Sequence, residues 1–297
     1  MPPVVSEKNL GYGLRALPPD PRDFALGAFY DLPKLEELPE EYFLMPKKIL
    51  DQKDSDFCTA FASVAASMDQ ENVELSPEFT FAMTKEIEGD FQSWGADLRT
   101  AAKSHVKIGA LDIRMAPFSI KTHARDFLAH WENWPQELRD KAAVHKKQAY
   151  FSVEGPYDLF STIMASLWKF RLELRSVFTG ALWRPEWTRA PGGRIPNEEL
   201  PKKGFGHAFK ICGWKQIHGE PHLIAQLSNG EDQGDKGFFY FPRSIVVKEF
   251  TYGCFMFADL PKEETKETAA KKSQEFRRKK YGGWLAWLLA FIRRNWL

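Results

Sequence analysis

Apolar positions recur at helical spacing through the first half of the chain and alternate with polar ones through the second. After Cys58 they fall at Ala60, Phe61, Val64, Ala65 and Met68, with small residues between, predicting a closely packed helix that opens at the cysteine. Glu74-Leu75-Ser76-Pro77-Glu78 supplies a serine cap and a proline suited to a first helical turn, so a second helix follows through Phe79, Phe81, Ala82 and Ile87. A third runs from Asp97 through Leu98, Ala101, Ala102 and Val106 to a closing Gly109. Residues 118–150 read as a solvated, partly helical connection, and Tyr157–Phe170 as an apolar helix.

Beyond this point the period changes. Leu172–Leu182, Ala208–Trp214, His222–Leu227, Gly237–Phe241 and Tyr252–Phe257 read as strands, with turns at His218–Pro221 and Ser228–Gly230. Helices first and strands later predict an α+β fold of two lobes, one helical and one an antiparallel sheet, with the binding cleft between them. Residues 46–260 form this domain. Residues 1–45, rich in proline and mixed charge, form an extended arm that reads as packing, without chemistry of its own but long enough to cover the cleft. Residues 261–283 read as a charged linker or helix.

The remaining segment, 284–297, carries three tryptophans, an apolar run and Arg293-Arg294. It is shorter than the roughly 20 apolar residues that span a bilayer. Its pattern suits contact with a membrane surface or with a protein assembly. The 41 basic and 40 acidic residues leave a net charge of +1, which gives no electrostatic case for nucleic acid. Three cysteines are too few for a disulfide framework, and Met1-Pro2-Pro3-Val4-Val5 opens without an apolar run, so a cytoplasmic setting is expected, peripheral to a membrane or assembly if the tail binds one. The histidines lack metal-ligand spacing, and neither a metal nor a cofactor is expected.

The chemistry sits around Cys58. A helix N-terminus favours a thiolate, and Gln52, six residues earlier, can donate to an oxyanion. His207, in Gly204-Phe205-Gly206-His207-Ala208, is placed after glycine at the start of a strand, where an imidazole can face a cleft and serve as base.

The order of these segments resembles the papain-like family of cysteine peptidases, and more closely its bacterial and phage-type branch. The likeness rests on Pro19–Phe24, on Cys58-Thr59-Ala60, on Gly95-Ala96-Asp97-Leu98-Arg99, on the Gly-His-Ala strand and on Gly234-Asp235-Lys236-Gly237, and spans residues 10 to 260. It implies peptide-bond hydrolysis through an acyl-enzyme, with Cys58 as nucleophile, His207 as base and then acid, and Gln52 with the Cys58 amide as oxyanion donors. It also implies that Gly95, Ala96 and Gly206 border the substrate groove. Ser55 stands where the papain type usually has a disulfide cysteine, and Thr59 where it usually has tryptophan.

The third member of the triad departs from the pattern. Counting back from Gly234 without a gap, the orienting asparagine falls on Leu227, which cannot hold an imidazole. Asn229, two residues on, takes the role if the chain shifts locally. Otherwise the site is a Cys–His dyad, or the chain is a catalytically impaired binding or scaffold protein tethered by its tail.

Overall fold

The computed structural model describes residues 12–16, 18–71, 73–91, 93–118, 134–197 and 204–282. The apolar tail of residues 284–297 lies outside them.

Three helices build one lobe. α1 (Cys58–Met68) is buried along its whole length, which its alanines and serines permit. α2 (Pro77–Glu88) starts where the Ser76 side chain accepts from the Phe79 amide, and it stops at Gly89, whose φ of 69° only glycine adopts readily. α3 (Leu98–Lys107) is capped by Asp97, which accepts from the Thr100 amide.

The other lobe is an eight-stranded sheet. Its order is β1 (Phe24–Ala25), β3 (Ala149–Ser152), β8 (Cys254–Ala258), β4 (Val177–Trp183), β5 (Phe205–Ile217), β6 (Glu220–Gln226) and β7 (Phe238–Pro242), with β2 (Tyr42–Phe43) pairing to β5. Every pairing is antiparallel except β1 with β3. The fold is therefore α+β and two-lobed. Along the seam the small side chains of α1 meet Phe178, Ala208, Phe255 and Phe257 of the sheet. Across that seam Lys210 donates to Asp69 at 2.8 and 3.0 Å, and Ser176 donates to the same carboxylate at 2.6 Å, all three residues buried.

Around this frame stand α4 (Gln136–Ala142), α5 (Leu159–Lys169), α6 (Pro185–Thr188), α7 (Arg243–Glu249) and α8 (Lys266–Tyr281). The strand expected from Leu172 begins only at Val177, because Arg171–Glu173 forms a 3-10 turn and Leu174 takes a left-handed conformation. Three strands were illegible in the sequence. β1 and β2 have two residues each, too few for alternation to register, and β3 straddles the end of the segment read as a connection. Among the described residues no helix is long and apolar enough to cross a membrane, and no cluster of His, Cys, Asp and Glu could hold a metal ion.

Candidate active site

Cys58 is the first residue of α1, and no side chain caps that helix. The helix therefore presents its first-turn amides, with their partial positive charge, beside the sulfur. Cys58, Cys212 and Cys254 are all buried free thiols, but Cys58 alone lies at the seam between the lobes at a helix start.

His207 lies on β5, where it pairs with Ala181 of β4, and its chain neighbour Ala208 packs with Cys58 at the seam. Its Nε2 lies 3.1 Å from Asn229 Oδ1. An amide oxygen only accepts, so Nε2 carries the proton and the neutral ring keeps its lone pair on Nδ1, the arrangement a general base requires. The edges and faces of two aromatic rings confine the imidazole, Trp183 at 5.6 Å and Tyr12 at 5.7 Å between centroids.

Leu227 plays no part here. Its side chain lies in the core of the sheet lobe and its amide donates to the Gly237 carbonyl. β6 stops at Gln226, so the extended geometry that would keep residues 227 and 229 on one face does not continue. The turn from Asn229 to Gly234 is two residues shorter than the ungapped count assumes, a change of loop length that counting cannot detect.

Gln52 is tied to the asparagine segment by its backbone and by its side chain. The Gln52 amide donates to the Ser228 carbonyl at 2.7 Å, the Gly230 amide donates to the Leu50 carbonyl at 3.1 Å, and Asp51 bridges Asn229. The Ser228 hydroxyl donates to Gln52 Oε1, which orients the amide group, and Nε2 donates to the Ser55 carbonyl at 2.9 Å. Ser228 and Trp183 were not singled out in the sequence, where a serine in a turn and a tryptophan in a strand carry no chemical signal of their own.

No protein-family model matches the chain, and no curated protein matches it by sequence. Solved structures do. Xylellain, a cysteine protease from Xylella fastidiosa, superposes with a TM-score of 0.65 at 22% identity, covering 84% of this chain and 97% of that one. Digestive procathepsin L 3 from Tenebrio molitor gives 0.60 at 12% identity, covering 80% and 76% of the two chains. Bromelain from Ananas comosus, in complex with the E64 inhibitor, gives 0.54 at 15% identity, covering 75% and 100%.

The chain has the papain-like fold. In its papain-like cleft, the groove residues expected from sequence all contact the chain's own arm. The Ala96 amide donates to the Gly13 carbonyl at 2.8 Å, the Arg15 amide donates to the Ala96 carbonyl at 2.9 Å, and the Leu14 amide donates to the Gly206 carbonyl at 3.0 Å. These contacts leave no room for a side chain. A Cβ on Gly95 would lie 1.8 Å from the Gly13 carbonyl oxygen, one on Gly206 2.1 Å from that of Leu14, and one on Gly13 2.0 Å from that of Asp56. Leu14 fills the space over Gly180 and packs with Cys58, Leu98 and Ala208. On either side of it, Tyr12 stacks on Phe205 and Arg15 pairs with Glu88. The arm, expected from sequence to pack on the domain and long enough to cover the cleft, occupies it.

That cover sets the electrostatics. Cys58 is 0% exposed and His207 1%. Burial pushes the Cys58 thiol up to about 12, against the pull of the backbone amides of Ala208, Gly13 and Thr59, with the Asp56 charge adding to the rise. With the arm in place, the thiol is protonated and shielded.

Proposed function

We propose that the protein is a cysteine peptidase held latent by its N-terminal arm. Cys58 is the nucleophile. His207 Nδ1 takes its proton, Asn229 holds the ring in the required tautomer, and Gln52 joins the Cys58 amide in stabilising the oxyanion. The attack forms a thioester and releases the amine, which leaves with the proton from His207, and water then hydrolyses the thioester. The observation that carries this reading is the His207–Asn229 hydrogen bond on the seam where α1 presents Cys58. Peptides are the substrates that suit a groove whose edges pair with a backbone at Ala96 and Gly206.

The test is labelling with a thiol-directed peptide electrophile after the arm has been loosened by Leu14→Asp. One adduct on Cys58, together with peptide hydrolysis that Cys58→Ala abolishes, is the expected result. A loosened, folded protein that neither labels nor cleaves would leave the scaffold reading in its place.

The tail, residues 284–297, is assigned to membrane-surface or assembly contact on its tryptophans and arginines. Unchanged flotation with anionic vesicles and unchanged assembly after its deletion would remove that assignment.

A further inference from the structure

Residues 12–15 of the arm fill the cleft, and the chain just after them is anchored by two separate elements. From within the body, α3 reaches it through Arg99, whose Nε donates to the Asp23 carboxylate at 2.7 Å and whose Nη1 donates to the Pro18 carbonyl at 3.0 Å. Tyr150 adds its hydroxyl to Asp23 at 2.9 Å. From outside, α8 reaches the next few residues. Arg277 Nη1 donates to the Pro21 carbonyl at 2.9 Å and Nη2 to the Asp23 carbonyl at 2.8 Å, while Nε and Nη2 pair with Glu154. The Ala25 amide donates to the Ser273 hydroxyl at 3.1 Å.

The face that α8 turns to the body is unusual. Its buried residues are Ala269, Ser273 and Arg277, at a spacing of four, with the half-buried Phe276 beside them over Gly27. A helix held on its domain by packing buries a stripe of large apolar side chains. This one fully buries no large apolar side chain: Ser273 accepts from the Ala25 amide, Arg277 divides its donors between the Glu154 carboxylate and the carbonyls of Pro21 and Asp23, and Lys280 donates to the carbonyls of Gly155 and Tyr157. Ser273 and Arg277 satisfy an amide and two carbonyls that belong to residues 21–25, so the arm's backbone and the helix depend on each other for their hydrogen bonds. Only residues 16 and 17 separate the cleft-filling segment from the anchor at Pro18, and so short a tether keeps Leu14 at a high local concentration over the cleft.

We propose that α8 is the latch of the arm: Arg277 and Ser273 couple the seating of the C-terminal helix to closure of the cleft, so that displacing α8 opens the site. Through this coupling the helix acts on Cys58 without touching it. Arg277 is a positioning residue for the covered state, since it contacts the arm and Glu154 and acts on Cys58 only through the cover. The inference rests on the reading of Cys58 as a nucleophile under a removable cover.

The test measures the rate of Cys58 alkylation by iodoacetamide in the full chain, with adducts located by peptide mapping, for the wild type and for Leu14→Asp, Arg277→Gln and Ser273→Ala. Leu14→Asp opens the cover directly. Arg277→Gln is expected to raise the rate about tenfold, the effect of losing a net charge-assisted hydrogen bond, and Ser273→Ala to raise it by a few-fold. Amide hydrogen exchange is expected to rise in residues 18–29 and in α8 while α1 stays protected. If Leu14→Asp labels rapidly and both α8 variants keep the wild-type rate, the latch is refuted while the cover stands. If Leu14→Asp fails to label, the cover itself is refuted, and the latch with it. Adducts on the buried Cys212 and Cys254 would show that Arg277→Gln has unfolded, and the milder Ser273→Ala then decides.

Discussion

Asn229 Oδ1 lies 3.1 Å from His207 Nε2, so the imidazole's acceptor is Asn229 and not position 227, where an ungapped count places it. The two asparagine candidates thus predict opposite outcomes. In a protein opened by Leu14→Asp, Asn229→Ala is expected to lower kcat by at least about tenfold, because the ring loses the acceptor that fixes its tautomer, while KM changes little. Leu227→Asn is expected to give no gain in turnover and to lower stability by about 1–3 kcal/mol, because it buries an amide where the core supplies no partner. Steady-state kinetics and thermal unfolding of the two variants check both statements.

Leu14 is the side chain that seats the arm. It is 7% exposed and packs over Gly180 against Cys58 and Ala208. Replacing it with aspartate removes about 2 kcal/mol of apolar burial and sets a charge in an apolar pocket. The expected outcome is at least a tenfold faster alkylation of Cys58, read by intact mass against time, with a circular dichroism spectrum that does not change.

The raised Cys58 pKa fixes a pH dependence. A thiol ionising at about 12 instead of its ordinary value near 9 reacts in proportion to a scarce thiolate, so alkylation of the full chain is expected to climb by about tenfold per pH unit and to keep climbing beyond pH 9. The sign for stability follows from the same shift. A group whose pKa is raised in the covered state stabilises that state fully below its ordinary value, and the contribution is lost as pH rises from about 9 towards 12. Alkali therefore favours opening. In Leu14→Asp the burial that raises the pKa is relieved, and the rate profile is expected to level off at or below pH 9.

Lys210 and Asp69 tie β5 to the end of α1 with both side chains 1% exposed. Removing one partner strands the other charge, so Lys210→Met is expected to destabilise the fold by about 3–5 kcal/mol. Pairing it with Asp69→Leu is expected to recover much of that loss, as measured by urea unfolding in a double-mutant cycle.

Most of the fold was legible along the chain because its signals are local. Helical spacing after Cys58, Ser76 and Asp97 marked three helices at their caps, and alternation marked β5 to β8. Two-residue strands such as Phe24–Ala25 carry no such period, since only their pairing to β3 makes them strands. The site divided in the same way. Cys58 at a helix start, Gln52 six residues before it and His207 after a glycine stand out as candidates from their sequence neighbours and from the family order of the segments. Which of two positions faces the imidazole could not, because the end of β6 and the length of one turn decide it.

The sequence by itself determined the helices that open at Cys58, Pro77 and Leu98, the strands β5 to β8 and the residue types able to do cysteine chemistry, since these follow from short-range spacing and side-chain chemistry. Only the tertiary structure decided that Asn229 meets His207, that Ser228 orients Gln52, that residues 12–15 lie over the sulfur and that Arg277 grips the chain at Pro21 and Asp23. Each of these joins groups from 22 to 256 residues apart, as with His207–Asn229 and Arg277–Pro21. Contacts at such separations are set by how the lobes pack, and no periodicity along the chain records them.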